Sequence, residues 1–295
     1  MKAKLILLII FIITIQSCKD ETKQNVTKFE EKAINFPTYE LIGEDENIIV
    51  ESFDSTVVDI NKFNYNNIVF KVGNVFTYYF EHVTNDNQIN YFKKTDGYGN
   101  WEFVDSDSLD FSTLKTIRIS VANGNPMSNS IPDYSQTNLK YSLFDETSYS
   151  MSGVIENEAN VWMHPPRDYY FEILELNPFP YIKEPFEIGN KWKWSLKIGD
   201  SWADERWKTW QGSIENKYEY EIVDKRKLET ELGELNCYLI KSNAKSRIGK
   251  TELTAFFHEK YGFVKLNYIN IDGTKTNLEL IEHSESKTAG NIGYK

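Results

Sequence analysis

Lys191-Trp192-Lys193-Trp194-Ser195-Leu196-Lys197-Ile198 is the stretch that decides the fold. Trp192, Trp194, Leu196 and Ile198 fall on one side, Lys193, Ser195 and Lys197 on the other. That period of two predicts a strand with one buried and one wet face. Runs of similar character follow at 212–224, 236–242, 251–258, 263–271 and 274–281. Gly199-Asp200, Gly233, Gly249, Gly262 and Asp272-Gly273 lie between these runs or lead into them, and glycine and aspartate suit tight turns. Connections this short join spatial neighbours, so residues 186–283 are expected to form a C-terminal β meander domain.

Upstream the pattern is looser. Candidate strands at 68–72, 75–83, 88–94, 101–104 and 116–122 are punctuated by Gly73-Asn74, Asn85-Asp86-Asn87 and the Gly-rich 96–100. A long Asn/Ser/Pro loop at 123–136 precedes two shorter candidates, 141–144 and 149–155. Together they predict an N-terminal β domain over 36–160. Residues 161–185 form a Pro-rich crossing segment between the two. There Pro166 suits the first turn of a short helix carrying Tyr170, Ile173 and Leu174 on one side, and the prolines after Leu176 stop it. The expected fold class is therefore mainly β: curved antiparallel sheets in a half-barrel or meander, with one short helix in the crossing segment. One internal echo stands out. Phe70-Lys71-Val72-Gly73-Asn74-Val75-Phe76 parallels Phe186-Glu187-Ile188-Gly189-Asn190-Lys191-Trp192. It fits either a duplicated β unit or two hairpins that need the same turn chemistry.

The composition narrows the partners. A net charge of −11 argues against nucleic acid and against electrostatic adhesion to anionic lipid. An aromatic content of 15% is a strand composition rather than a bundle composition. The chain has two cysteines, Cys18 and Cys237, and the latter sits in a strand-like apolar run where an inert buried thiol is expected.

At the N-terminus, Lys2 and Lys4 precede the apolar run 5–15, which is too short to span a bilayer and ends at Gln16-Ser17-Cys18 before a polar stretch. This resembles the lipobox of a bacterial lipoprotein, although Gln16 stands where a small residue is usual. The resemblance implies a lipoprotein signal peptide over 1–17 and acylation of Cys18, with membrane lipid as the first partner. An ordinary secretory leader cut elsewhere is the alternative. Residues 18–35 then read as a flexible tether and 284–295 as a disordered tail. Lys19-Asp20-Glu21 resembles an acidic sorting tract of outer-membrane lipoproteins, leaving surface-exposed and periplasmic display both open.

The C-terminal third carries a second resemblance. Gly189-Asn190-Lys191-Trp192-Lys193-Trp194, then Leu232–Ile240, then Tyr261-Gly262-Phe263-Val264-Lys265 recur in that order. They are similar to uncharacterised β domains of Gram-negative envelope proteins. That likeness implies a curved antiparallel sheet of the lipoprotein-carrier type, and no activity.

Two polar features are candidate sites. In His164-Pro165-Pro166-Arg167-Asp168, His164 and Arg167 suit an anionic ligand, or His164 with Asp168 suits acid–base work; alternatively the prolines fix a loop and Arg167 pairs with a carboxylate of the crossing segment. Trp202, Trp207 and Trp210 beside acids and Arg206 suit stacking on a sugar ring, or they cover the open end of the sheet. His82, His258 and His283 show no metal-ligand spacing, and no nucleophile elbow or phosphate loop is present, so neither a metal nor a cofactor is expected. The expectation is a non-enzymatic envelope lipoprotein that binds an apolar small molecule, a glycan or an envelope protein. The alternatives are a glycan or ester hydrolase using carboxylates or His164, and a structural accessory subunit of a surface complex.

Overall fold

The computed structural model describes residues 51–52, 67–95, 100–123, 136–144 and 149–287, all within one compact unit, Asn35–Lys295. The leader, Cys18, the tether, most of the 123–136 loop and residues 288–295 lie outside the described residues.

After β1 (Glu51–Ser52), β2 (Asn74–Val83) opens the sheet, and β3 (Ile89–Lys94), β4 (Trp101–Val104) and β5 (Thr113–Leu114) form a side sheet hung from it. The main course resumes with β6 (Thr116–Val121), β7 (Thr137–Ser142), β8 (Tyr149–Glu156), β9 (Asn160–Met163) and β10 (Tyr181–Lys183). Next come β11 (Lys191–Ile198), β12 (Ile214–Thr230), β13 (Gly233–Ser246), β14 (Gly249–His258), β15 (Gly262–Ile269) and β16 (Lys275–Glu285). The spatial order is β1-β11-β12-β13-β14-β15-β16-β2-β6-β7-β8-β9-β10, antiparallel at every step, and the sheet curls into a nearly closed barrel.

The segments read as separate domains, 36–160 and 186–283, thus contribute to one sheet. β16 lies against β2 from Lys275↔Val83 to Glu285↔Asn74, and a single core runs through both halves. The physical reason is that neither half has a partner for its outermost strand. Each is a six-stranded meander, and pairing β16 with β2 removes one exposed edge from both. Among the described strands no ladder joins β10 to β11. There the barrel is closed by rings instead: Tyr181 lies edge-on to Trp192 and Tyr220, and Phe179 edge-on to Trp194.

The two meanders start alike. Gly73 and Gly189 both take positive φ, 94° and 95°. Gly73 N–H donates to Val121 O on the next strand, as Gly189 N–H does to Ile222 O. Asn74 N–H donates to Lys71 O and its side chain to Val69 O; Asn190 donates to Glu187 O and Pro185 O in the same way. The strands that follow pair in a similar order in each half, apart from the β3–β5 side sheet that interrupts the first, which fits a doubled β unit or two hairpins with the same turn chemistry.

The stretch 68–72 is the clearest departure from the strand expectation. The N–H groups of Ile68, Val69 and Phe70 all donate to the Glu156 carboxylate at 2.8 Å, so they have none left for a ladder. β9 and β10 are strands at either end of the crossing segment, and β12 and β13 run well beyond the stretches their alternation suggested.

The crossing segment does not pass over the barrel but through it. Its short helix is a 3-10 helix, Tyr169–Leu176, in which Tyr170, Phe171, Ile173, Leu174 and Leu176 are buried. The inner wall grips its backbone: Asn216 Nδ2 and Thr251 Oγ1 donate to Leu176 O (3.0 and 2.7 Å), and Tyr220 Oη donates to Phe179 O (3.0 Å). From the plug, Asn177 Nδ2 donates to Ile269 O (3.0 Å), and Tyr170 Oη shares a hydrogen bond with Thr276 Oγ1 (2.7 Å). A chain inside a barrel cannot reach water, and these bonds satisfy the carbonyls and amides that the apolar rings leave unmet.

Candidate functional site

The candidate residues and the neighbours that the fold brings to them gather in three places. The first is His164, Arg167 and Glu175 inside the plug. His164 Nδ1 lies 2.9 Å from Pro165 O, which makes it the protonated nitrogen of the neutral ring. Nε2 approaches Glu175 Oε1 to 3.3 Å without hydrogen-bond alignment, and both side chains are buried. Burial holds the imidazole pKa well below its ordinary value, with the Arg167 charge adding to the effect and the bond to Pro165 opposing it. Burial also pushes the Glu175 carboxyl up to about 7, with Arg167 pulling it down and Glu172 raising it. Just below pH 7 both groups are therefore uncharged. Asp168, the partner expected for His164, instead precedes the 3-10 helix. The signal in sequence for Glu175 is an acid set between Leu174 and Leu176, one turn after Glu172, on the apolar side of a short helix.

Glu175→Gln reports that state. A carboxyl raised from 4.5 to about 7 favours folding less as pH climbs through that interval, because the unfolded chain ionises first. Denaturant melts should show the variant gaining about 2 kcal/mol on the wild type between pH 5 and pH 8, at 1.36 kcal/mol per pKa unit. His82 acts in the opposite sense. Buried face to face with Phe103, its ring is held down to about 4 by desolvation, so its contribution is lost as pH falls from 6.5 towards 4.

The second place is the tryptophan cap. Trp207 and Trp210 are buried, 7% and 8% exposed, and Trp202 is half-buried. Trp207 lies parallel to Trp101 of β4 (centroids 6.4 Å apart), Arg206 lies over the Trp101 ring (3.9 Å), and Trp207 Nε1 donates to Trp202 O (3.3 Å). Trp101 in turn meets the plug at Tyr170. The indoles thus close one end of the barrel, and the faces of Trp207 and Trp210 that a sugar would need are covered by protein.

The third place lies at the other end, where β2 and β11 begin. A cleft of about 460 Å³ opens between equivalent parts of the two meanders. The opening turn of each contributes, Ile68 and Val69 from one, Pro185 and Phe186 from the other. So does the fourth-to-fifth strand connection of each, Glu156 and Glu158 on β8–β9 and Glu259 on β14–β15. Phe186 forms the floor, with Tyr238 and Phe257 at 5.5 and 5.6 Å from its ring centre. Nothing in the sequence spacing announces this cleft, because its walls come from five separate stretches of chain.

The other polar groups have structural roles. Cys237 is buried and its thiol pKa is pushed up to about 11 by desolvation, so it is not a reactive thiolate. Among the described residues no group of three or more His, Cys, Asp or Glu is placed to hold a metal ion, and no helix is long and apolar enough to cross a membrane.

No protein-family model matches the chain, and no curated protein matches it. Solved structures give distant likenesses. One is described as an exported protein with a YmcC-like fold from Bacteroides fragilis NCTC 9343 (12% identity, TM-score 0.41, 73% of this chain and 97% of that one). A second is described as a lipoprotein from Parabacteroides distasonis ATCC 8503 (9%, 0.41, 74% and 97%). A third is the hypothetical lipoprotein YmcC from Escherichia coli K12 (7%, 0.31, 70% and 84%). At these values none of them assigns a role to any residue described above.

Proposed function

We propose that this protein is a lipid-anchored, non-enzymatic lipoprotein of the bacterial envelope that engages a partner at the end of its barrel rather than storing an apolar ligand inside it. The observation that carries this reading is the plug. The concave face that a carrier would offer to an acyl chain is filled by Tyr170, Phe171, Leu174 and Phe179, and the wall is hydrogen-bonded to the plug's own backbone. The form of the hydrolase alternative that uses His164 loses support because His164 and Glu175 are buried in that plug and do not line the end cleft. The glycan alternative loses support because Trp207 and Trp210 are covered. The anchor is supported by the leader and Cys18 alone.

Two measurements test the reading. Organic extraction and native mass spectrometry of the purified protein should find no fatty acid, lipid or isoprenoid within the barrel; a stoichiometric apolar molecule there would overturn it. Cys18→Ser should move the protein from the membrane to the soluble fraction and remove the mass of the acyl chains from the N-terminal peptide, since each buried methylene contributes about 0.8 kcal/mol to anchoring. A variant still bound to membranes through its N-terminus would remove the lipid anchor from the proposal.

A further inference from the structure

We propose that the cleft between the two opening turns binds an alkylammonium group, a primary amine on an apolar stem such as a lysine side chain. The inference rests on the reading that the barrel end, not its interior, is the binding side, and it supplies the chemistry of what binds.

Four observations lead there. The cleft sits where equivalent elements of the two meanders face each other, and among the described residues no element of either half fills the space between them. Its floor is a continuous set of rings, Phe186 between Tyr238 and Phe257, which offers apolar contact to a stem and a π-face to a cation. Its rim is acidic, and among the described residues neither lysine nor arginine lines it, Lys225 reaching it only from the side. Two of its carboxylates are already committed: Glu156 to three backbone N–H groups, and Glu184 to Phe186 N–H (2.9 Å). Glu158 and Glu187 are the exposed acids that remain, and Glu259, also exposed, is shared with Tyr238 and Lys225.

The fourth observation identifies the ligand class. The end of β12 overhangs this side of the barrel, and from it Lys225 reaches Tyr238. Its ammonium lies 4.0 Å from the Tyr238 ring centre, donates to Tyr238 Oη (2.6 Å) and stands 3.6 Å from Glu259 Oε1. Tyr238 Oη in turn donates to Glu259 Oε1 (3.0 Å). The chain's own amine therefore already uses one ring and one acid of the cleft. A second amine entering from solvent would meet Glu158 and Glu187 and lay its stem along Phe186 and Phe257, competing with Lys225 for Tyr238 and Glu259.

The test is titration calorimetry on the full lipidated chain in detergent at 150 mM salt. Its two probes are 1,5-diaminopentane and the peptide acetyl-Leu-Lys-Leu-amide, with the acetylated-lysine form of the peptide as control. Saturable one-to-one binding of at least one amine is expected, with none for the acetylated control. The diamine alone binding assigns a free amine as the source; binding of the peptide alone, or of both, assigns a lysine-bearing segment. Glu158→Gln with Glu187→Gln should weaken binding tenfold or more. Tyr238→Leu should weaken it severalfold with the melting midpoint recorded alongside, and Lys225→Ala should tighten it at least threefold. Lys265→Ala, which removes an equal charge from the Lys265–Glu279 pair elsewhere, should leave binding unchanged. Absence of binding by both amines overturns the proposal, as does binding that survives the double glutamine change. Equal weakening by Glu215→Gln with Glu219→Gln on the outer wall overturns it too, because generic attraction to an acidic protein would then be the cause. None of these outcomes alters the extraction and fractionation results, so the chemistry of the cleft and the wider function fail separately.

Discussion

Phe171→Ala is expected to cost the protein about 3–5 kcal/mol, the range for deleting a fully buried phenylalanine ring whose cavity cannot collapse. Phe171 is 0% exposed in the 3-10 helix of the plug, edge-on to Phe80 of β2, and it also meets Phe92 of β3 and Tyr170 beside it. One ring thus joins the plug to the main sheet and to the side sheet. Urea melts should show a lower midpoint with an unchanged slope, the sign of lost stability rather than altered compactness. The same change at Phe111, which stands fully in solvent, should shift stability by no more than about 0.5 kcal/mol. A loss under about 1 kcal/mol at Phe171 would mean that the plug is a removable insert and that the interior is open to a ligand.

Glu156→Ala should be nearly as damaging, for a different reason. The carboxylate accepts from three consecutive N–H groups, and the residue is only 6% exposed. Removing it strands those donors at the foot of the first opening turn, each at a desolvation cost of about 1–3 kcal/mol, with water from the cleft recovering part. The expected net loss is about 3 kcal/mol by denaturant melt. Glu156→Gln keeps the shape but turns one acceptor into a donor facing a donor, and it should lie between alanine and wild type. Glu158→Gln, two residues along and exposed, should be neutral to stability. Equal effects of Glu156→Ala and Glu158→Gln would show that the clasp does not hold the turn.

The sheet was legible in sequence wherever one face of a strand is wet. Trp192, Trp194, Leu196 and Ile198 point inward as their spacing indicated, and Trp192 and Trp194 stack on Tyr220 and Tyr218 across the β11–β12 ladder. The signal fails where both faces share an environment. The far end of β12, from Lys225 to Thr230, is largely wet on both sides and shows no alternation to read. It fails again where a distant group captures the backbone. Ile68–Phe70 look like a strand, and only a carboxylate nearly ninety residues away makes them a turn. The prolines announced a rigid crossing segment, but whether it passes over or through the barrel depends on where the final strand pairs. For the candidate sites, residue type left a binding and a structural reading open for His164, Arg167 and the tryptophans. Burial of His164, Trp207 and Trp210, which local pattern does not encode for an irregular segment, favours the structural one, in the plug and the cap.

The join between β16 and β2 has a consequence for how the chain reaches its native state. Residues about 200 positions apart, such as Asn74 and Glu285, must meet before either meander loses its open edge, so the loop-closure entropy comes due late and in one step. Until the last strand is made, β2 lacks its β16 neighbour, a templating hazard for a chain rich in aromatic strands. A barrel joined in this way gains from a chaperone that keeps the nascent polypeptide unstructured until synthesis is complete, and export in the unfolded state would provide that delay.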